Sequence, residues 1–183
     1  DELSNVLGLL FDRQDNLHVK YRPAKHSGVG LKKNTVLQAL MNATRSKDTV
    51  AVWVGHGDRI REEGPSRILV WGDSIRVEDL RHSQRLAEGQ LALVLGHCHS
   101  GGMAQLMFEP SGKLAAPTRC VMAAVPQELV AAGCTADIND PSAKAYVSTW
   151  NEGVRRKVDY NRDGETSAAE AHAYATIDDA TVD

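Results

Sequence analysis

Cysteine, aromatic residues and long apolar runs are all scarce in this chain. Its 183 residues include three cysteines and six prolines, and aromatics make up 5%. Cys98, Cys120 and Cys134, separated by 22 and 14 residues, form neither an even disulfide framework nor a CxxC metal knuckle. At least one thiol therefore needs another explanation. No apolar run approaches the roughly 18 residues of a membrane-spanning helix. The opening Asp1-Glu2-Leu3-Ser4-Asn5 has neither the basic start nor the apolar middle of a signal peptide. A cytoplasmic protein without membrane contact is the expectation. There is no surplus of positive charge: 21 basic residues stand against 24 acidic ones, mixed along the chain, for a formal net charge of -3. Nucleic acid would need a concentrated basic face, so it is not an expected partner. Internal repeats, low-complexity tracts and Pro/Ser linkers are absent too. At this length one compact domain is expected.

What is present is an alternation of short apolar runs with helical periodicities, the pattern of buried strands between helices in an α/β domain. Residues 49–54 (Thr-Val-Ala-Val-Trp-Val) and 91–95 (Leu-Ala-Leu-Val-Leu) are the clearest strands. Residues 119–124 and 68–71 are two more. A helix is expected from an Asn34 or Thr35 cap, with Val36, Leu37, Leu40 and Met41 on one face. Residues 77–87 and 3–11 are further helical segments, and 23–33 reads as a loop. Pro141 behind Asp140 suits the start of a long helix along which Tyr146, Trp150, Val154 and Val158 recur. Strands alternating with helices pair in parallel, and sites then gather at their carboxyl ends.

Both of the best strands end in chemistry. One runs into Gly55-His56-Gly57-Asp58, the other into Gly96-His97-Cys98-His99-Ser100-Gly101-Gly102. A cysteine attacks only as thiolate and needs a nearby base or cation, which a histidine at the end of a neighbouring parallel strand supplies. Glycines beside such residues allow close backbone approach and leave N–H groups for an oxyanion. Cys120 and Cys134, in a strand and an alanine-rich turn, read as structural. His56, His97, Cys98 and His99 could also be read as a zinc set. Alternating strand side chains would turn His97 and His99 away from Cys98 and argue against that reading. His18, His26, His82 and His172 sit in polar surroundings and read as surface residues.

A strand ending in His-Gly followed by one ending in Cys-x-Ser-Gly resembles the caspase-like cysteine peptidases, most of all their legumain branch. The resemblance extends over residues 35–155. Residues 68–80 are similar to the hairpin and helix between those strands, 120–134 to the next strand and its specificity loop, and 146–150 to the helix after that. It implies a mostly parallel sheet flanked by helices, in a peptidase domain spanning residues 1–158, acting on protein or peptide substrates. Cys98 would attack the scissile carbonyl and His56 would protonate the leaving amine. The N–H groups of Gly57 and Cys98 would hold the oxyanion, and catalysis would need no cofactor. Gln127, Glu128 and Lys144 fall in the substrate-binding region, where their charges disagree about the preferred residue. The family fold opens with a central strand that this chain does not display, so a preceding segment or a second processed chain is expected to supply it. Two alternatives stay open: a catalytically inactive caspase-like calcium-binding interaction module, and a transpeptidase or ligase using the same thiol.

Near the C-terminus, Asp159-x-Asn161-x-Asp163-Gly164-Glu165-x-Ser167-x-x-Glu170 resembles an EF-hand loop. Oxygen ligands fall at its first, third, fifth, ninth and twelfth positions, with glycine at the sixth. The Glu165 carbonyl serves at the seventh. Bound Ca2+ with a structural role is expected, in a loop and final helix covering residues 159–183. The other reading is an Asp/Gly-rich turn capped by Thr166 or Ser167.

Overall fold

The apolar segments build three strands that lie side by side, and the described helices and a small meander cover their two faces. The structure is a computed structural model that describes residues 32–61, 64–131 and 145–178. In chain order, helix α1 (Lys33–Thr44) leads to β1 (Thr49–Val54), β2 (Gly57–Arg59), β3 (Ser66–Val70), β4 (Asp73–Ile75) and helix α2 (Val77–Ser83). Then follow β5 (Leu91–Gly96), a 3-10 helix (Ser100–Met107), β6 (Arg119–Ala123) and helices α3 (Tyr146–Arg155) and α4 (Ala168–Asp178). One sheet has the order β1-β5-β6 and is parallel throughout. The other, β2-β3-β4, is a small antiparallel meander inserted between β1 and β5. This is a mixed α/β fold with a parallel three-stranded sheet flanked by helices.

Central β5 pairs with a strand on each edge, other elements cover both its faces, and its side chains divide between two cores by the two-residue strand period. Leu91, Leu93 and Leu95 meet Ile68, Ile75, Val77, Leu80, Met103 and Leu106, with Val36, Leu37 and Leu40 of α1 packed against them. Val94 points the other way, into a core built with Met122, Tyr146, Val147, Trp150, Val154, Ala171 and Ala175. β1 splits likewise, Ala51 and Trp53 facing the first core and Val50 and Val52 the second. The α1–α2 side is tied by Lys33 to Asp79 at 2.8 Å. The α3–α4 side is held by close packing of Gly153 against Ala171 and Tyr174, and by Trp150 Nε1 donating to the Ala168 carbonyl at 3.3 Å.

Several expected boundaries move. α1 starts at Lys33 with Lys32 as its N-cap, so neither Asn34 nor Thr35 caps it. The strand expected over 68–71 is Ser66–Val70, and Trp71-Gly72 forms the turn into β4, with Gly72 at φ 72°. α2 stops at Ser83 rather than reaching residue 87. α3 begins at Tyr146 behind an extended Ala145 at φ -69° and ψ 137°, and the Pro141 expected in its first turn lies outside the described residues. α3 does not reach Val158: Lys157 turns left-handed at φ 55°, and the N–H groups of Lys157 and Val158 donate to the carbonyls of Val154 and Gly153. That is a Schellman ending on a residue other than glycine. No strand precedes β1 among the described residues. The helix expected over 3–11 and most of the loop expected over 23–33 lie outside them. No described helix is long and apolar enough to cross a membrane.

Trp150 is completely buried where α3 meets α4 and β5. Trp150→Ala is expected to cost about 3–5 kcal/mol of unfolding free energy, read as a lower urea midpoint, while Trp150→Phe should lose distinctly less.

Candidate functional site

Strand register is what brings His56 and Cys98 to one place. Val54 is paired with Gly96 across the parallel β1–β5 ladder, and each candidate stands two residues beyond that pair. Both residues leave the sheet at the same carboxyl edge, and the contact of Gly57 with the Cys98 carbonyl keeps the two backbones close beyond it. The His56 carbonyl accepts the Leu69 N–H at 2.9 Å, while its side chain is exposed. Because His56 and Leu69 form a hydrogen-bonded pair, the next pair, Gly57 with Ile68, is a non-hydrogen-bonded one, and the Gly57 N–H turns away from β3. Gly57 is where the two strand ends touch. A Cβ there would collide with the His97 ring and the Cys98 carbonyl, which only glycine avoids.

Beyond Gly96 the chain leaves the sheet, and the turn bearing Cys98 is held by hydrogen bonds from several directions. His99 is left-handed at φ 62°. Its N–H donates to the Leu129 carbonyl at 2.8 Å, and its carbonyl accepts the Ser66 hydroxyl at 2.6 Å. His99 Nδ1 lies 2.9 Å from the Gln127 carbonyl. Gly101 donates to the Val125 carbonyl at 2.9 Å and comes so close to residues 125–127 that a Cβ would crowd their backbone. The His97 ring, with 0% exposure, donates from Nδ1 to the Cys98 carbonyl at 2.8 Å. Its Nε2 is buried without a partner among the described residues, an arrangement that costs about 1–3 kcal/mol. Burial pushes the His97 imidazole below its ordinary range, the hydrogen bond to Cys98 opposes this, and the charge of His99 adds to the lowering. Cys98 itself is 9% exposed and belongs to the core beneath α3.

The strand alternation expected to separate His97 and His99 from Cys98 does not apply, because β5 ends at Gly96. Both rings instead spend Nδ1 on backbone carbonyls. Among the described residues no group of three or more His, Cys, Asp or Glu side chains is disposed to hold a metal ion. Gln127 does lie beside the Cys98 turn, but its side-chain amide donates to the Gly64 carbonyl at 3.3 Å. Glu128 is exposed. Lys144 and Cys134 lie outside the described residues. Cys120 is half-buried in β6, where burial raises its thiol. Asp58, next to Gly57, pairs with Arg67 at 2.9 Å, which, with the Arg59 N–H and nearby His99, holds its carboxyl below the usual range. Ser66, which holds the Cys98 turn from 33 residues away, carried no signal in the sequence. His172 is not the surface residue expected: it is half-buried, with Nδ1 2.6 Å from the Tyr146 hydroxyl across the α3–α4 contact.

The loop after α3 folds around its own carboxylates. Asp159 accepts the N–H groups of Asp163 at 3.1 Å and Gly164 at 2.9 Å. Asn161 Oδ1 accepts the Asp163 N–H at 3.0 Å, and Asp163 Oδ1 accepts that of Glu165 at 2.8 Å. Gly164 sits at φ 87°, where a side chain would be strained. Glu170, in the first turn of α4, closes the loop from below. One oxygen accepts the Tyr160 and Asn161 N–H groups at 2.8 and 3.2 Å, the other the Ser167 N–H and hydroxyl, both at 2.8 Å. The Ser167 hydroxyl also takes the Glu170 N–H at 3.2 Å, which completes a capping box. The Glu165 side chain is exposed.

A cavity of about 490 Å³ lies along the outer face of α3, lined by Ser148, Asn151, Glu152, Arg155 and Arg156. None of the candidate residues borders it. No protein-family model, curated protein or solved structure matches the chain.

Hydrogen bonds from Ser167, and then from Asn161 and Tyr160, lower the Glu170 carboxyl from 4.5 to about 2 against the opposing effect of burial. A depressed folded value stabilises the loop fully above the unfolded value of 4.5, and the contribution is lost as pH falls toward about 2. The melting temperature in chelator should therefore drop across that interval, and Glu170→Gln should flatten the drop. An unchanged slope in the variant would show that Glu170 is not responsible.

Proposed function

We propose that this chain is a cysteine endopeptidase of caspase-like architecture, working through Cys98 and His56. The observation that carries the reading is the β1–β5 register, which sends His56 and Cys98 off adjacent strands at the same offset from the Val54–Gly96 pair. The Cys98 thiolate adds to the scissile carbonyl, forming the S–C bond and an oxyanion. The N–H of Gly57, turned away from its own ladder, and that of Cys98 are the donors for this oxyanion. As the C–N bond breaks, the His56 imidazolium gives its proton to the leaving amine. Water then attacks the thioester while His56 takes up its proton, and Cys98 departs as thiolate. An amine acceptor in place of water would make the same thioester chemistry a transpeptidation, which product analysis distinguishes. Gln127 and Glu128 are the described residues nearest in sequence to a specificity pocket, and Lys144 completes the proposed set.

The 159–170 loop is proposed as a structural Ca2+ site. Its donors are all hard oxygens, from Asp159, Asn161, Asp163, Ser167, Glu170 and the Glu165 backbone, as a calcium shell requires. Glu170 links both ends of the loop through its two oxygens, and both would have to turn from these N–H groups to take the cation as a bidentate ligand. Bound cation would neutralise carboxylates that otherwise accept only uncharged N–H and O–H donors.

A second reading, a catalytically silent calcium-binding interaction module, draws on the burial of Cys98, which leaves little thiol surface. A peptide library separates the two. Cys98→Ala is expected to abolish hydrolysis and labelling by a thiol-reactive peptide probe without lowering the melting temperature, and hydrolysis that survives it would exclude Cys98 as nucleophile. Calcium should raise the melting temperature, and Asp159→Ala or Glu170→Ala should remove the rise. Superimposable melting curves in calcium and chelator would reject the metal site.

A further inference from the structure

The Nδ1 edge of the His97 ring lies where the two segments that the proposed reaction must keep in register touch. A Cβ on Gly57 would overlap both that edge and the Cys98 carbonyl. The Nδ1–H itself is held 2.8 Å from the carbonyl oxygen of Cys98. The peptide that follows Cys98 is thereby gripped at both ends, its carbonyl by His97 and its N–H, that of His99, by the Leu129 carbonyl at 2.8 Å. The ring is wholly buried, and its Nε2 meets no partner among the described residues. A polar ring kept wholly buried with one nitrogen unsatisfied contributes there, beyond what an aliphatic side chain would, its Nδ1–H. Burial keeps it neutral, so it leaves no net charge beside the thiol.

We propose that His97 is a positioning residue: an imidazole packed against Gly57 that orients the Cys98 peptide through its Nδ1–H. The proposal rests on the peptidase reading. His97 does not touch the substrate and transfers no proton. Its effect passes through the relative placement of Cys98, its N–H and the Gly57 N–H. Displacement of such groups by about 1 Å costs on the order of 100-fold in rate.

The test compares His97→Asn with His97→Leu in the full chain. The asparagine amide nitrogen stands where Nδ1 stands and can still donate to the Cys98 carbonyl, whereas leucine keeps comparable bulk without a donor. His97→Leu should lower kcat by about 10- to 100-fold with KM within about twofold, and His97→Asn should recover most of that loss. Equal losses in the two variants, full activity in the leucine variant, or a loss confined to KM would overturn the proposal. A second measurement needs no turnover. Nitrogen-15 shifts of the His97 ring in the wild type should report a neutral Nδ1–H tautomer at pH about 7, and a charged ring or an Nε2–H tautomer would contradict it. Absence of Cys98-dependent hydrolysis in the wild type would remove the peptidase reading, whereas Cys98-dependent hydrolysis indifferent to His97 would remove only this inference.

Discussion

Parallel pairing of β1 with β5 is the constraint on which the rest of the molecule depends. Because β5 is buried on both faces, its side chains must alternate between two cores. A slip of one residue would send Leu93 and Leu95 to the α3 side and Val94 to the α1 side. The register is thus enforced by packing along its whole length rather than by any single contact. Its consequence is felt past the last pair, where two chain segments leave the sheet side by side at Val54 and Gly96. His56 and Cys98 inherit their neighbourhood from that geometry.

Past the sheet, a different force takes over. Residues 97–101 have no ladder to join, yet they are largely buried, and buried backbone groups must find partners. They find them on residues far away in sequence, Ser66, Val125 and Leu129, while the His99 ring meets the Gln127 carbonyl. Two glycines permit this, Gly57 by making room for the His97 ring and Gly101 by letting the 125–127 backbone approach. The turn carrying Cys98 is therefore held by the loop after β6 and by the meander. A change in either would reach the thiol without touching it.

The C-terminal loop follows the same economy. Glu170 completes a capping box with Ser167 and accepts N–H groups from the opposite end of the loop. Helix capping and loop closure are consequently one structure, and the residues that could be read either as a capped turn or as calcium ligands are the same residues. α4 then packs on α3 through Gly153, Ala171 and Trp150, and α3 packs on β5 where Val147 covers Gly96. The loop is joined mechanically to the sheet end that bears Cys98.

The parallel strands were readable from the sequence because a strand buried on both faces is a short, unbroken apolar run, as residues 91–95 are, and 49–54 is a β-branched, mostly apolar stretch. The His-Gly and Cys-x-Ser-Gly endings and the spacing of oxygen side chains over 159–170 were equally visible, since each lies within a few consecutive residues. Helix ends were not. The left-handed Lys157 that stops α3 has no compositional mark, and Ser83 ends α2 while the sequence beyond it still looks helical. Nor could the sequence tell that His172 would meet Tyr146, or that His97 rather than His99 would grip the Cys98 carbonyl. By itself the sequence determined the three strands of the parallel sheet and most of β3, but not the short β2 and β4, and it showed which residues carry reactive groups. Only the tertiary structure decided which of them meet, because contacts between residues distant along the chain depend on register, burial and the search of each buried polar group for a partner.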